Sequence, residues 1–180
     1  MKTENKFDFC PHCGGKNIRN INMRLWQCDD CGFVLYHNVA ASVAVVITDK
    51  SGAVLFEVRA KEPKQGMLCL PGGFVEPGET LESACIRECT EEIGIIPLNL
   101  QYMTSFPNVY EYKGIVYNTC DAFFTAVIPD DTDFNLQKTE VTKIQKRILK
   151  NAQDLKDLPI AFDSAYNALC YWVKNKKDKK

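Results

Sequence analysis

The sequence predicts an α/β domain with a small metal-stapled module in front of it. Three observations carry this. Residues 41–48 and 54–58 are β-branched runs that alternate or stay apolar, as strands do. Residues 80–93 have the period and the punctuation of a helix. Near the amino terminus two Cys-x-x-Cys pairs, Cys10-Pro11-His12-Cys13 and Cys28-Asp29-Asp30-Cys31, are separated by fourteen residues.

The cysteine pairs come first along the chain. Cys10, Cys13, Cys28 and Cys31 can supply four thiolates to one tetrahedral Zn²⁺, with an intervening length one residue short of the usual range. Gly14 and Gly32 each follow the second cysteine of a pair, where a tight turn around a metal needs a small residue. About 36 residues bury too little apolar area to fold alone, so a metal staple has a physical reason. A pair of disulfides is the alternative, although nothing else in the chain points to secretion. Asn17-Ile18-Arg19-Asn20 and Asp29-Asp30 form no dense basic stripe. A structural or dimerising role is therefore expected, not nucleic-acid binding. His12 reads as a turn residue. The expected organisation is a ribbon with its tail over residues 1–37, a second domain over 38–174 and a Lys-rich tail over 175–180.

After the opening strands, Pro71, Gly72, Gly73, Pro77 and Gly78 make a loop. Thr80 is expected to cap the following helix, and Gly94 to end it in a left-handed conformation. Cys85, Ile86, Cys89 and Ile93 mark its core face. A hairpin over 109–118 turns at Lys113-Gly114 and leads into a strand over 119–128. Residues 140–149 read equally as strand or helix. Residues 163–174 read as a helix with Ala165, Leu169, Cys170 and Val173 inward.

The chemistry concentrates in the glycine loop and first helix. Gly73 is followed by five residues, Glu79, seven residues, then Arg87-Glu88-Cys89-Thr90-Glu91-Glu92-Ile93-Gly94. Seven specified positions match by chance on the order of once in 10⁸ to 10⁹ starts. At 100° per residue, Glu88, Glu91 and Glu92 share an arc of about 100°. Three carboxylates on one face repel each other unless cations sit among them. Hard oxygens at that spacing suit Mg²⁺ or Mn²⁺, ions that bridge carboxylates to phosphates. Arg87, four residues before Glu91, can hold part of the array. Glutamates alone would also fit a solvated acidic face; the glycine loop and Glu79 favour the metal.

This segment resembles a Nudix box, G-x5-E-x7-R-E-U-x-E-E-x-G-U, where U is a bulky apolar residue. Every fixed residue matches, with Cys89 at the first U. The resemblance runs over about residues 38–172 and implies an α/β/α sandwich around a mixed sheet, with a strand near 142–148. It implies metal-dependent hydrolysis of a nucleoside diphosphate linked to another group. By position, Glu88, Glu91, Glu92 and the Gly72 carbonyl are the implied Mg²⁺ or Mn²⁺ ligands, and Glu79 and Arg87 orient the site. Glu91 also belongs to the implied catalytic set. In several relatives a glutamate on a later loop is the general base, and Glu140 is the candidate here, against a solvated loop acid. A second acid common nearby is replaced by Lys143.

A ribbon ahead of such a domain is similar to NADH pyrophosphatases, which carry a further domain before the ribbon that this chain does not show. Their S-Q-P-W-P-F-P-x-S stretch corresponds to Ser105-Phe106-Pro107-Asn108-Val109-Tyr110, sharing the serine and an offset proline. Phe106 and Tyr110 are candidate stacking partners for a base or nicotinamide ring, and Tyr112 and Tyr117 could assist. Alternation of Tyr110 and Tyr112 in the hairpin equally fits packing. The expected function is a metal-dependent pyrophosphohydrolase acting on an NADH-like dinucleotide or ADP-ribose. A nucleoside triphosphate pyrophosphatase and a non-catalytic nucleotide-sensing module are the alternatives. The expected partner is a small nucleotide diphosphate derivative, and a homodimer is compatible with the family.

Global properties narrow the classes further. In 180 residues with 46% hydrophobic content there is room for one full domain and a small module. A net charge of −1 argues against broad nucleic-acid affinity. No apolar run reaches about 18 residues and no charged-then-apolar leader is present, so no membrane partner is expected. Nine cysteines without a signal peptide fit a reducing, cytoplasmic setting. Cys69, Cys85, Cys89, Cys120 and Cys170 lie outside the ribbon, in apolar contexts that fit buried thiols.

Overall fold

The computed structural model describes residues 6–129 and 132–176. Chain contacts divide it into two compact units, Met1–Val39 with Val109–Asn118, and Ala40–Asn108 with Thr119–Lys180.

In the first unit, strands β1 (Ile18–Ile21), β2 (Leu25–Cys28) and β3 (Val34–Tyr36) form an antiparallel sheet in that order. Two matching turns present the cysteines: Gly14 N–H donates to the Cys10 carbonyl at 2.9 Å and Gly32 N–H to that of Cys28 at 3.0 Å. Both glycines have left-handed φ, 72° and 74°, which a side chain would oppose. Arg19 forks onto Asp29 at 2.9 and 3.1 Å, tying β1 to the second turn. Phe7 packs edge-on against buried Trp26 at 4.8 Å. Packing thus extends ahead of the first cysteine pair. His12 stacks on Phe33 at 5.7 Å, a packing role for the expected turn residue.

The second unit is built on a six-stranded mixed sheet. Its strands are β4 (Ala40–Thr48), β5 (Ala53–Arg59), β6 (Leu68–Cys69), β7 (Leu98–Tyr112), β8 (Ile115–Val127) and β9 (Val141–Ile148), of which the residues of β7 and β8 within 109–118 are counted with the first unit. The order is β6-β5-β4-β8-β7, with β9 also pairing β5. β4 and β8 run parallel from Ala40↔Thr119 to Thr48↔Val127, whereas β6 and β9 are antiparallel to β5. Helix α1 (Leu81–Ile93) covers one core, with Val43, Val45, Ile47, Leu55 and Phe124 beneath it. Helix α2 (Asp163–Asn175) covers the other, over Val46, Phe56 and Phe123. Alternation along each strand divides these sets between the two faces, which makes the expected α/β/α sandwich.

Helix α1 begins and ends where expected. Thr80 accepts from Ser83 N–H, Ser83 returns a side-chain bond to Thr80, and Gly94 sits at φ 74°. Its core stripe is Ala84, Cys85, Cys89 and Ile93; Ile86, expected inward, is 40% exposed. The stripe leans the other way around the helix, which sets Glu88 and Glu92 against the core. Residues 141–148 resolve as a strand, since β9 finds a full partner in β5 from Ala53↔Ile148 to Arg59↔Val141.

Other elements depart from expectation. Cys120 is exposed between buried Thr119 and Asp121, because the pleat turns it to the opposite face. Cys170 is partly buried at the edge of α2, with Ala168 central in its place. β7 starts well before the expected hairpin, and a 3₁₀ turn at Ala152–Leu155 went unread. α2 runs through Asn175, into the segment expected as a Lys-rich tail, of which residues 177–180 lie outside the described residues. Among the described residues no helix is long and apolar enough to cross a membrane.

Candidate active site

Strand β4 holds the glycine loop in place. Val43 N–H donates to the Gly73 carbonyl and Val45 N–H to that of Pro71, each at 2.9 Å, while Val75 N–H donates to Ala41 at 3.1 Å. Gly72 comes so close that a Cβ would lie 2.1 Å from the Val43 carbonyl oxygen, and its φ is 148°. A Cβ on Gly73 would meet Glu88 Oε1 at 2.5 Å. Gly72 is thus required by the β4 backbone, whereas a side chain at Gly73 would displace the helix carboxylate.

Arg87 is the hub of the loop–helix unit. Its Nε and Nη2 donate to the two Glu79 oxygens at 2.8 and 3.0 Å, and Nη2 also reaches the Phe74 carbonyl at 3.0 Å. Its Nη1 donates to Glu88 at 2.8 Å and Glu91 at 3.2 Å. Arg87 hydrogen-bonds hold the Glu79 carboxyl below the usual range. Burial pushes Glu88 up despite Arg87.

Glu92 turns the other way and accepts from Gly72 N–H at 2.9 Å. Burial, and next the charge of Glu57, push its pKa well above the carboxylate range. Glu57 itself is 1% exposed, and burial pushes it up to about 8. The Cys69 thiol donates to its Oε2 at 3.7 Å, and Oε1 has no hydrogen-bond partner. Sequence reasoning passed over Glu57. The signal was there: a lone acid inside the apolar run Ala53-Val54-Leu55-Phe56-Glu57-Val58. The site therefore combines hard oxygen donors, a tight glycine loop and more carboxylates than Arg87 pairs with.

The NUDIX domain family model matches residues 38–165. The chain belongs to the NUDIX family. Curated relatives include the NAD-capped RNA hydrolase NudC of Vibrio cholerae serotype O1, 38% identical over 101 residues, 55% of this chain and 36% of that protein. The protein of the same name from Deinococcus radiodurans is 29% identical over 163 residues, 89% of this chain and 55% of its own length. The chain thus spans between about a third and about half of the relatives it matches. A NUDIX hydrolase from Nitrosomonas europaea superposes with a TM-score of 0.69 at 24% identity, over 96% of this chain and 93% of that one. The NUDIX domain of Shewanella oneidensis NrtR, solved with ADP ribose, gives 0.60 at 19% identity over 80% and 90%. These two likenesses concern the fold.

Around the Nudix box, the residues expected to assist are distributed unevenly. Glu140 is carried to α1 by backbone bonds: Gln137 N–H donates to the Glu92 carbonyl at 2.9 Å, and Glu140 N–H to that of Gln137 at 2.8 Å. Its carboxylate is paired with Lys61. Lys143, at the position of a second acid, pairs with Val58 in the β5–β9 ladder. Phe106 is partly buried and meets Phe123 at 6.3 Å, on the core beneath α2. Tyr110 belongs to the ribbon's unit, where it lies 6.5 Å from Tyr112.

The four ribbon cysteines converge. Their sulfurs all lie within 4.8 Å of one another, with Cys10–Cys31 and Cys13–Cys28 at 3.8 Å. Four thiolates about 2.3 Å from a tetrahedral zinc are about 3.8 Å apart. The cluster could hold a zinc ion. The same spacing is nearly twice a disulfide bond, about 2.05 Å.

Proposed function

We propose that this protein is a metal-dependent pyrophosphohydrolase that cleaves the diphosphate of an NADH-like dinucleotide or ADP-ribose. The observation that carries it is the complete Nudix box folded as one unit, with Arg87 forked on Glu79 and Glu92 bonded to the Gly72 amide. In this reading Glu88, Glu91, Glu92 and the Gly72 carbonyl hold Mg²⁺ or Mn²⁺. The residues fit such an ion: the donors are hard oxygens, and Glu57, whose charge acts on Glu92, keeps a buried oxygen without a partner. A bound divalent ion would offset phosphate charge and acidify a bound water. Glu79 and Arg87 orient the acidic helix against the loop. Glu140 serves as general base, releasing Lys61 as it takes the proton of water. Phe106 is the proposed ring contact. The ribbon holds one structural Zn²⁺ on Cys10, Cys13, Cys28 and Cys31, ahead of a catalytic domain over 38–174.

The relatives' name adds NAD at the end of an RNA chain to the substrates worth testing. The experiment is product analysis with NADH, NAD⁺, ADP-ribose, NAD-capped RNA and nucleoside triphosphates, each with Mg²⁺ and with Mn²⁺. Glu92→Gln runs alongside as the blank. AMP with nicotinamide mononucleotide or ribose phosphate is the expected outcome. Pyrophosphate released from a triphosphate would instead make it a triphosphate pyrophosphatase. Tight ADP-ribose binding without turnover would make it a sensing module.

A further inference from the structure

Glu57 is a buried acid whose surroundings do not repay its burial. Taking a carboxylate out of water costs several kcal/mol unless charge or hydrogen bonds compensate. Asp121, the other buried acid among the described residues, shows how the fold normally compensates: hydroxyls of Ser42, Thr119 and Ser164 all donate to it. Glu57 receives one weak thiol contact and keeps Oε1 unpartnered.

Nearby cations are committed elsewhere. Arg87 serves Glu79, Glu88 and Glu91, and Lys61 pairs with Glu140. Arg59 donates to the Pro63 carbonyl at 2.8 Å and lies 5.2 Å over the Phe162 ring, though its charge still favours ionised Glu57. Glu88 and Glu92 of α1 and Glu140 of the loop before β9 also bear on Glu57, and all three are acids. A charge deficit of this kind suits a divalent cation.

Strand alternation sets the direction. Leu55 packs in the core under α1, whereas Phe56 and Val58 pack in the core under α2. Glu57 therefore faces the helix that carries Glu88 and Glu92. Cys69, its register partner on β6, steadies Oε2 and leaves Oε1 free.

With the Nudix box read as a metal site, on which this step depends, we propose that Glu57 is a further metal-holding carboxylate whose Oε1 binds a divalent cation shared with Glu92. It adds a ligand from β5 to those from the loop and helix, and it explains why an acid interrupts the apolar run of residues 53–58 at this position.

The test is Mn²⁺ binding to the full chain without substrate, read by electron paramagnetic resonance and calorimetry. Wild type, Glu57→Gln and Glu92→Gln are compared. Glu57→Gln keeps the shape and removes the buried charge. Its metal-free melting temperature should stay level or rise, while Mn²⁺ affinity falls by at least about tenfold and Mn²⁺-induced stabilisation shrinks. A purely structural glutamate would show the opposite pair, a lower melting temperature with unchanged affinity. Wild-type affinity in Glu57→Gln, with binding weakened in Glu92→Gln, overturns the proposal and leaves the box reading standing. Absence of Mn²⁺ binding in wild type overturns both. Glu57→Asp provides a second variant should the glutamine protein not fold: its shorter reach should also weaken binding, and wild-type affinity would count against a ligand role.

Discussion

Arg87 and Glu79 meet as a two-point fork, at 2.8 and 3.0 Å, across the junction of the glycine loop and α1. Two parallel bonds define an orientation as well as a distance, so the loop cannot swing independently of the helix. Lysine offers a point charge and no fork. Arg87→Lys should therefore lower kcat by about 10- to 100-fold with the fold retained. Steady-state turnover with Mg²⁺, alongside circular dichroism, checks this.

Gly73 and Gly72 are expected to respond differently to alanine. At Gly73 the added carbon meets the flexible end of Glu88, 2.5 Å away, so the helix carboxylate must move. Gly73→Ala should fold and lose at least about tenfold in activity. At Gly72 the carbon meets backbone, 2.1 Å from the Val43 carbonyl oxygen, at a φ of 148°. Gly72→Ala should depress the melting temperature as well as activity. Parallel melting curves and rates separate the two.

Asp121 bolts three elements together. Thr119 of its own strand β8 and Ser164 of α2 each donate at 2.6 Å, and Ser42 of β4 also donates. Asp121→Ala strands these hydroxyls in the interior and should cost about 3 kcal/mol or more. That corresponds to a fall of roughly 6–12 °C in melting temperature, measurable by calorimetry.

Asp49 carries a pH dependence. It accepts from the Ser51 hydroxyl at 2.5 Å, from Lys146 at 3.1 Å and from Ala53 N–H at 3.1 Å. These bonds, the Ser51 hydroxyl first, lower its pKa from 3.8 to about 2. A depressed folded-state pKa gives stability that is present above 3.8 and lost as pH falls through about 2. Asp49→Asn should cost roughly 1–2 kcal/mol at pH 7, with the gap to wild type closing between about pH 4 and pH 2. Urea unfolding across that range tests it.

The ribbon should carry one zinc per chain. Metal analysis of unoxidised protein is expected to find it. A strong chelator, or Cys28→Ser, should abolish the ordered packing around Trp26, read by tryptophan fluorescence. Retention of that signal in metal-free, reduced protein would count against zinc.

Short-range chemistry was readable from the residues alone. Thr80 and Gly94 bounded α1, Gly14 and Gly32 shaped the cysteine turns, and the Nudix spacing named its glutamates, because caps, turns and helix faces depend on neighbours a few residues away. The strand state of 141–148 was ambiguous locally and was settled by β5, more than eighty residues earlier. The direction of the α1 core stripe, with Ile86 outward and Glu88 and Glu92 inward, depended on which strands lie beneath it. Glu57 is the sharpest case. Its sequence neighbours mark it as an odd acid in an apolar strand, but its tie to Glu92 arises from pairing β5 with β6 and laying α1 across the sheet. Desolvation and charge coupling are properties of the folded surroundings, so they exist only once residues distant in sequence are packed together.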